Sequence, residues 1–345
     1  MPPDEILLFQ SLLQEALKRL LVLVAVPLRE DVIVALSAQG KLLSSSNEGT
    51  LSGVWSLMTL AWAHYLQPDA DLRIAVRAAL AVECLLCAFD LLDDIEDGDI
   101  TPTLQLLGVA KAANVATGLL FLAQRSLCAD PTEMQEVRGT QEMQWRLWNT
   151  FIECNLLACS GQHWDLVAEK QPFEDFQPED ALMMAEAKSG SLMRLACLFG
   201  ALSVNAATDI CELVADIGQA LGVAHQLDND AHDLATALQH ASQNTSQNAP
   251  VPVQTSSDRS SPVKSDLRRN KKTLPIVIAA QQKTLQTGRA PADMRTQEAL
   301  LEEAIRATWG ACLVYRNHVR ASLVRLKAIV DRPLSPALEH LIGVT

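Results

Sequence analysis

The chain has 345 residues, of which 49% are hydrophobic and 4% aromatic, enough for one large core or two ordinary ones. A formal net charge of −13 with no long basic run argues against nucleic acid as a partner. Leu and Ala dominate over aromatic residues, so the composition favours helix and argues against a sheet.

An apolar period of 3.6 recurs along nearly the whole chain. It predicts helices over 4–25, 50–66, 70–97, 103–127, 132–158, 178–202, 206–238, 271–285, 295–330 and 334–343. The run LLVLVAVPL (20–28) follows Lys18 and Arg19, is too short to span a bilayer and ends at a Pro-containing turn, so it reads as a core helix. Cys84 and Cys87 form a CxxC inside an apolar helical run with no second pair, which reads as packing, and the eight cysteines show no disulfide framework. A reducing, cytoplasmic setting with no stable membrane span is expected. Turn chemistry at QPDAD (67–71), DPTE (130–133) and QPFEDFQPED (171–180) separates the helices. The segment 240–265 is rich in Ser, Gln, Asn and Pro; it reads as a mobile loop inside one domain spanning 1–345.

Chemistry concentrates in a few places. The stretch DLLDDIEDGD carries six acids: Asp90, Asp93, Asp94, Glu96, Asp97 and Asp99. On a helix Asp93 and Asp97 share a face, roughly 5–6 Å apart at Cβ, with Asp94 one step round. A second cluster places Asn229 and Asp233 four apart with Asp230 between them, again after an apolar helical stretch and flanked by His225 and His232. Such pairs suit a hard cation that takes one or two carboxylates and completes its shell with phosphate oxygens. Cations to complement a diphosphate are at hand in Lys188, the one lysine of an otherwise small and apolar helix, and in Arg268, Arg269, Lys271 and Lys272. Trp145, Trp148 and Phe151 lie at helical spacing and read as core packing.

Together these segments resemble the trans-isoprenyl diphosphate synthase, or polyprenyl synthetase, family. DDIED (93–97) is similar to its first aspartate motif, NDAHD (229–233) to the second, KSGSL (188–192) to K-T/S-x-x-L, GQHWDL (161–166) to GQxxD, and DLRRNKKTLP (266–275) to the segment that follows the second motif. The last segment and the Asn229 variant lean toward the ComQ-like branch of pheromone-modifying prenyltransferases. The resemblance implies an all-α, single-domain bundle of long helices around a central cavity, acting as a homodimer. It implies two or three Mg²⁺ ions held by Asp93, Asp94, Asp97, Asn229, Asp230 and Asp233. It implies a diphosphate gripped by Lys188, Lys271 and Arg268, with Gln226 and Ser189 near the departing group. Phe89 and Ala88, one turn before Asp93, would bound the prenyl chain, with C15–C20 expected.

Two departures bear on the reaction. The family's GKxxR appears as GKLLS (40–44), with Ser44 in place of Arg, and the arginines that usually follow the first aspartate motif are missing from GDITPTLQLLG (98–108). In chain-elongating members these cations receive isopentenyl diphosphate. The expected activity is therefore Mg²⁺-dependent ionisation of an allylic prenyl diphosphate and transfer of the prenyl group to another acceptor. Cyclisation as a terpene synthase, ordinary chain elongation, and an inactive regulatory subunit are the alternatives.

Overall fold

A computed structural model of the chain describes residues 3–44, 51–128, 140–245, 270–286 and 294–344. Every regular element among them is helical, as the composition led one to expect. The chain packs as two compact units: Met1–Leu156 with Ser191–Gln219 and Val319–Thr345, and Leu157–Gly190 with Ala220–His318.

The first unit is built on α3 (Val54–Leu66) and α4 (Arg73–Asp97). Leu57, Met58, Leu60, Ala61, Trp62 and Ala63 are all fully buried, the pattern of a helix with no solvent face. Small residues let the neighbouring helix α9 (Ser191–Ser203) approach α3 closely. A Cβ on Gly200 would fall 2.5 Å from the Thr59 carbonyl oxygen and 2.6 Å from the Trp62 Cβ. Thr59 Oγ1 also donates to the Ala196 carbonyl at 2.8 Å. Ala75, Ala78, Ala79, Ala81 and Ala88 do similar service along α4, so a core of this size needs few aromatics. Glu83, 2% exposed, is satisfied in this core by the Leu42 N–H and the Ser56 hydroxyl, both at 2.7 Å. Cys84 and Cys87 are free, buried thiols, and burial pushes Cys87 up to about 12, so the CxxC serves packing.

The N-terminal apolar run departs from expectation. Helix α1 (Asp4–Leu21) stops, and α2 (Val26–Leu36) begins with Pro27 in its first turn. The side chain of Arg29 closes the turn between them by donating to the Val22 and Val24 carbonyls. Val22, Leu23 and Val26 are 69%, 61% and 57% exposed, so 20–28 is not one core helix: Leu20 and Leu21 end α1 buried, and 22–25 is a held turn. The helix predicted over 103–127 divides at Gly108 (φ 71°) into α5 (Pro102–Leu107) and α6 (Val109–Leu127).

Helix α7 (Thr140–Ala168) runs ten residues beyond its expected end, because no Pro interrupts it before Pro172. Its Trp145 is 66% exposed and does not pack in the core; Phe151 does, stacked on Phe199 at 6.5 Å with Trp148 at its edge.

The second unit gathers the end of α7, α8 (Pro178–Ala185), the later part of α10 (Thr208–Thr245), α11 (Leu274–Gln286) and most of α12 (Met294–Val330); α13 (Pro336–Val344) belongs to the first. Its main core joins Phe176, Met184, Val223, Leu227, Leu274 and Val277, with Trp164 edge-on to Phe176. Helix α10 continues through Thr245, so the expected loop does not begin at 240; residues 246–265 lie outside those described.

Candidate active site

The first aspartate motif occupies the last two turns of α4. Gly98, at φ 65°, ends the helix in the left-handed conformation. No basic residue stands in that final turn. Carboxylates there face the negative end of the helix dipole and one another, each an unfavourable interaction of a few tenths to about 1 kcal/mol. Asp93, Asp94 and Asp97 are half-buried, Asp90 and Glu96 exposed. Burial, reinforced by the charges of Asp90, Asp93 and Asp99, pushes the Asp94 carboxyl up to about 6, against the opposing hydrogen bond from Thr101 Oγ1 at 2.9 Å.

Asp90, a turn earlier, is paired with Lys41 across the first unit. Burial alone would lower the Lys41 ammonium, yet the charge of Asp90, with Cys87 and Glu83 behind it, holds it above the ordinary lysine range. Ala88 is fully buried and Phe89 half-buried on the same helix.

The second motif lies in mid-helix. Leu227, Ala231 and Leu234 turn one face of α10 into the core, which leaves Asn229, His232 and Asp233 exposed. Asn229 Nδ2 lies 3.3 Å from His225 Nε2, and burial lowers the His225 pKa. Although the Asp233 side chain is exposed as a whole, its carboxyl is partly desolvated against the helix, which raises it, with the charge of His232 opposing. Gln226 links the motif to the KSGSL segment: its Nε2 donates to Asp230 Oδ1 at 2.8 Å while its Oε1 accepts from the Ser189 hydroxyl.

Lys188 and Ser189 sit in a π-helical turn, Glu186–Gly190, that separates α8 from α9. Such turns insert one extra residue and re-aim the side chains they carry. The glycine of GQHWDL is what admits this turn: a Cβ on Gly161 would lie 2.6 Å from the Lys188 nitrogen and 2.9 Å from the Ala187 carbonyl carbon. One turn further along α7, Asp165, 9% exposed, draws two cations to one oxygen, with Lys188 Nζ at 3.7 Å and Lys271 Nζ at 3.5 Å from Oδ2. Tyr315 on α12 anchors the turn from another side by donating to Glu186 Oε1 at 3.0 Å.

The cation run divides its duties. Asn270 takes a left-handed conformation (φ 64°), which Asn tolerates, and donates to the Glu169 carbonyl at 3.0 Å. Lys271 then meets Asp165, while Lys272 is fully buried, donates to the Asn270 carbonyl at 3.0 Å and lies 3.9 Å over the Phe173 ring. Lys272 is therefore structural, and Arg268 and Arg269 lie outside the described residues.

Among the described residues no three His, Cys, Asp or Glu side chains form a metal cluster by themselves. The donor chemistry still fits Mg²⁺, which needs few protein carboxylates when phosphate oxygens complete its shell. A cation would relieve the charge that burial, with the neighbouring acids, disfavours at Asp94.

A sequence model of the polyprenyl synthetase family matches residues 53–308. The chain belongs to that family. It is a prenyltransferase of the trans-prenyl diphosphate synthase type. It is 28% identical to the geranylgeranyl diphosphate synthase of Mycobacterium tuberculosis over 307 residues, 84% of this chain and 79% of that one. It is 27% identical to the tryptophan prenyltransferase ComQ of Bacillus spizizenii over 183 residues, 52% of this chain and 59% of the relative. Among solved structures, a geranylgeranyl pyrophosphate synthase superposes with a TM-score of 0.70 at 19% identity, covering 98% of both chains. A polyprenyl synthetase from Streptomyces coelicolor gives 0.66 at 21%, covering 97% of this chain and 95% of the other. These structural matches carry the fold, which is the expected all-α one. No helix among the described residues is long and apolar enough to cross a membrane.

Proposed function

We propose that this prenyltransferase ionises an allylic prenyl diphosphate, C15–C20 in length, and passes the prenyl group to an acceptor other than isopentenyl diphosphate. The observation that carries the choice of acceptor is the Lys41–Asp90 pair. Lys41 is the remaining cation of GKLLS, and its charge is already met by a carboxylate of the same unit, while Ser44 adds none. A second diphosphate would find no uncommitted cation there. The partial match to a tryptophan prenyltransferase supports the same reading.

Asp93, Asp94 and Asp97 of the first motif, and Asn229, Asp230 and Asp233 of the second, would hold Mg²⁺. When bound, the metal supplies Lewis-acid stabilisation of the leaving diphosphate. Lys188 and Lys271 are pre-set for the same charge: Asp165 holds both ammonium groups near one point, so little reorganisation remains when the C–O bond breaks. The Ser189 hydroxyl, donated to Gln226 Oε1, ties the turn that carries Lys188 to the second motif, near the departing group. Phe89 and Ala88 bound the apolar path of the chain. We also take the chain to act as a homodimer; Phe121, Ile152 and Leu156, all more than half exposed, supply apolar surface for it.

Chain elongation is the second reading, because relatives at 28% and 26% identity are named geranylgeranyl and geranylfarnesyl diphosphate synthase. Incubation with Mg²⁺ and geranyl, farnesyl or geranylgeranyl diphosphate, each with and without isopentenyl diphosphate, separates the readings. Diphosphate release is expected with the prenyl group recovered as its alcohol, water standing in for the absent acceptor, and without any elongated diphosphate. A longer prenyl diphosphate would establish elongation and remove the significance given to Asp90. A cyclic hydrocarbon would establish a terpene synthase.

A further inference from the structure

The first unit carries a second concentration of positive charge that the prenyl-transfer site does not use. The early part of α7, the later part of α9 and the start of α10 enclose a groove of about 240 Å³. Arg146 and Arg194 both line it, together with Asn149 and Leu198, and Glu212 is its one acid. The lining thus has a formal charge of +1, in a chain whose net charge is −13.

Neither arginine forms an ion pair among the described residues. Arg146 Nη2 reaches the Cys211 sulfur at 3.7 Å, a weak acceptor that orients the guanidinium without neutralising it. Cys211 is itself 4% exposed and donates to the Ala206 carbonyl at 3.4 Å, so this steering atom is fixed. Arg194 exerts its charge on the buried Cys154 thiol and makes no hydrogen bond with a described residue. Two unneutralised guanidinium groups on one groove repel each other. An oxyanion placed between them converts that repulsion into two forked, charge-assisted contacts, and Asn149, whose Nδ2 gives one N–H to Glu153 Oε1 at 2.7 Å, keeps its second N–H as a neutral donor.

We infer that this groove is a binding site for a phosphate-class oxyanion, up to the size of inorganic diphosphate, separate from Lys188 and Lys271. The floor supplied by Leu198 also suits the first carbons of a phosphate ester, so the anion could arrive free or as the headgroup of such an ester.

The test uses the full chain without Mg²⁺. In the K188Q/K271Q variant, calorimetric titration with inorganic diphosphate should still show one binding event. Adding R146Q/R194Q should weaken it by about tenfold or more, the scale of one lost charge-assisted contact. Geranyl diphosphate in the same titration assigns the source: equal affinity means the free anion, tighter binding means the ester. Wild-type crystals soaked in tungstate should show anomalous density beside Arg146 and Arg194, which guards against a K188Q/K271Q protein that fails to fold. Turnover of R146Q/R194Q should equal that of the wild type. Absence of binding in folded K188Q/K271Q, an affinity insensitive to R146Q/R194Q, or tungstate confined to Lys188 and Lys271 would each overturn the assignment.

Discussion

The two aspartate motifs have similar spelling and opposite surroundings. DDIED ends a helix, where the dipole, the neighbouring acids and half-burial all act against its charge. NDAHD lies within a helix of 38 residues, with an Asn in place of one acid and exposed side chains at Asn229 and Asp233. The first region stores electrostatic cost, from burial and from neighbouring acids, that a cation would relieve; the second carries the partial burial that raises Asp233 and is tied, through Gln226 and Ser189, to the turn that carries Lys188. On the reading proposed above, one motif would gain from a cation, and the other is tied to the turn that carries Lys188.

The sharpest way to break that comparison is to delete one carboxylate from each region. Asp93→Ala should lower diphosphate release by about 10³-fold, and Asp233→Ala by about 10²-fold, the range seen when one electrostatic stabiliser of a transition state is removed. Circular dichroism should show both variants folded, and without metal Asp93→Ala should melt no lower than the wild type because it relieves like-charge repulsion. Equal or unchanged rates would remove the distinction.

Next in size is a contrast between two glycines. Gly161→Ala must push the π-helical turn away from α7, because its Cβ would meet backbone at 2.6 Å. A displacement of this kind at Lys188 should cost about 10²-fold in kcat. Gly200→Ala meets backbone just as closely at 2.5 Å, but in the packing of α3 on α9. Its effect should be on the melting temperature, by several degrees, with kcat per folded molecule nearly unchanged.

That contrast also explains how much was legible in the sequence. The helices, the two acid clusters and Lys188 could be read because periodicity and i, i+4 spacing are local. The division of the N-terminal run was not legible: its apolar residues look like core until Arg29 is seen to clamp the Val22 and Val24 carbonyls. Trp145 likewise shares a helical face that only tertiary packing could assign to the outside. Within the site, Asp165 was visible as part of a motif but not as the anchor of two lysines, since Lys188 and Lys271 lie 23 and 106 residues further along the chain. Asp90 was one of six acids with no role assigned to it, and its partner Lys41 is 49 residues away. Tyr315, 129 residues from Glu186, had no sequence signal. Pairings over such separations have no period.

The smallest effects come from removing one hydroxyl on each side of the comparison. Thr101→Val takes away the donor to Asp94, and Tyr315→Phe the donor to Glu186. Each should cost about 1 kcal/mol of stability, the usual net worth of a hydrogen bond, and lower turnover a few-fold by loosening the segment it holds. The melting curves with and without Mg²⁺ and inorganic diphosphate then part the two. At neutral pH, above the Asp94 value of about 6, this carboxyl is charged at a cost, and loss of the Thr101 donor raises that cost. A cation at the end of α4 opposes the same charge, so ligand should restore most of the stability lost in Thr101→Val. No cation is called for at Glu186, where the π-helical turn is held by packing and by the phenol. Ligand should therefore leave the deficit of Tyr315→Phe in place. Recovery of both variants alike would mean that the two regions respond to metal as one, and the contrast between them would fail.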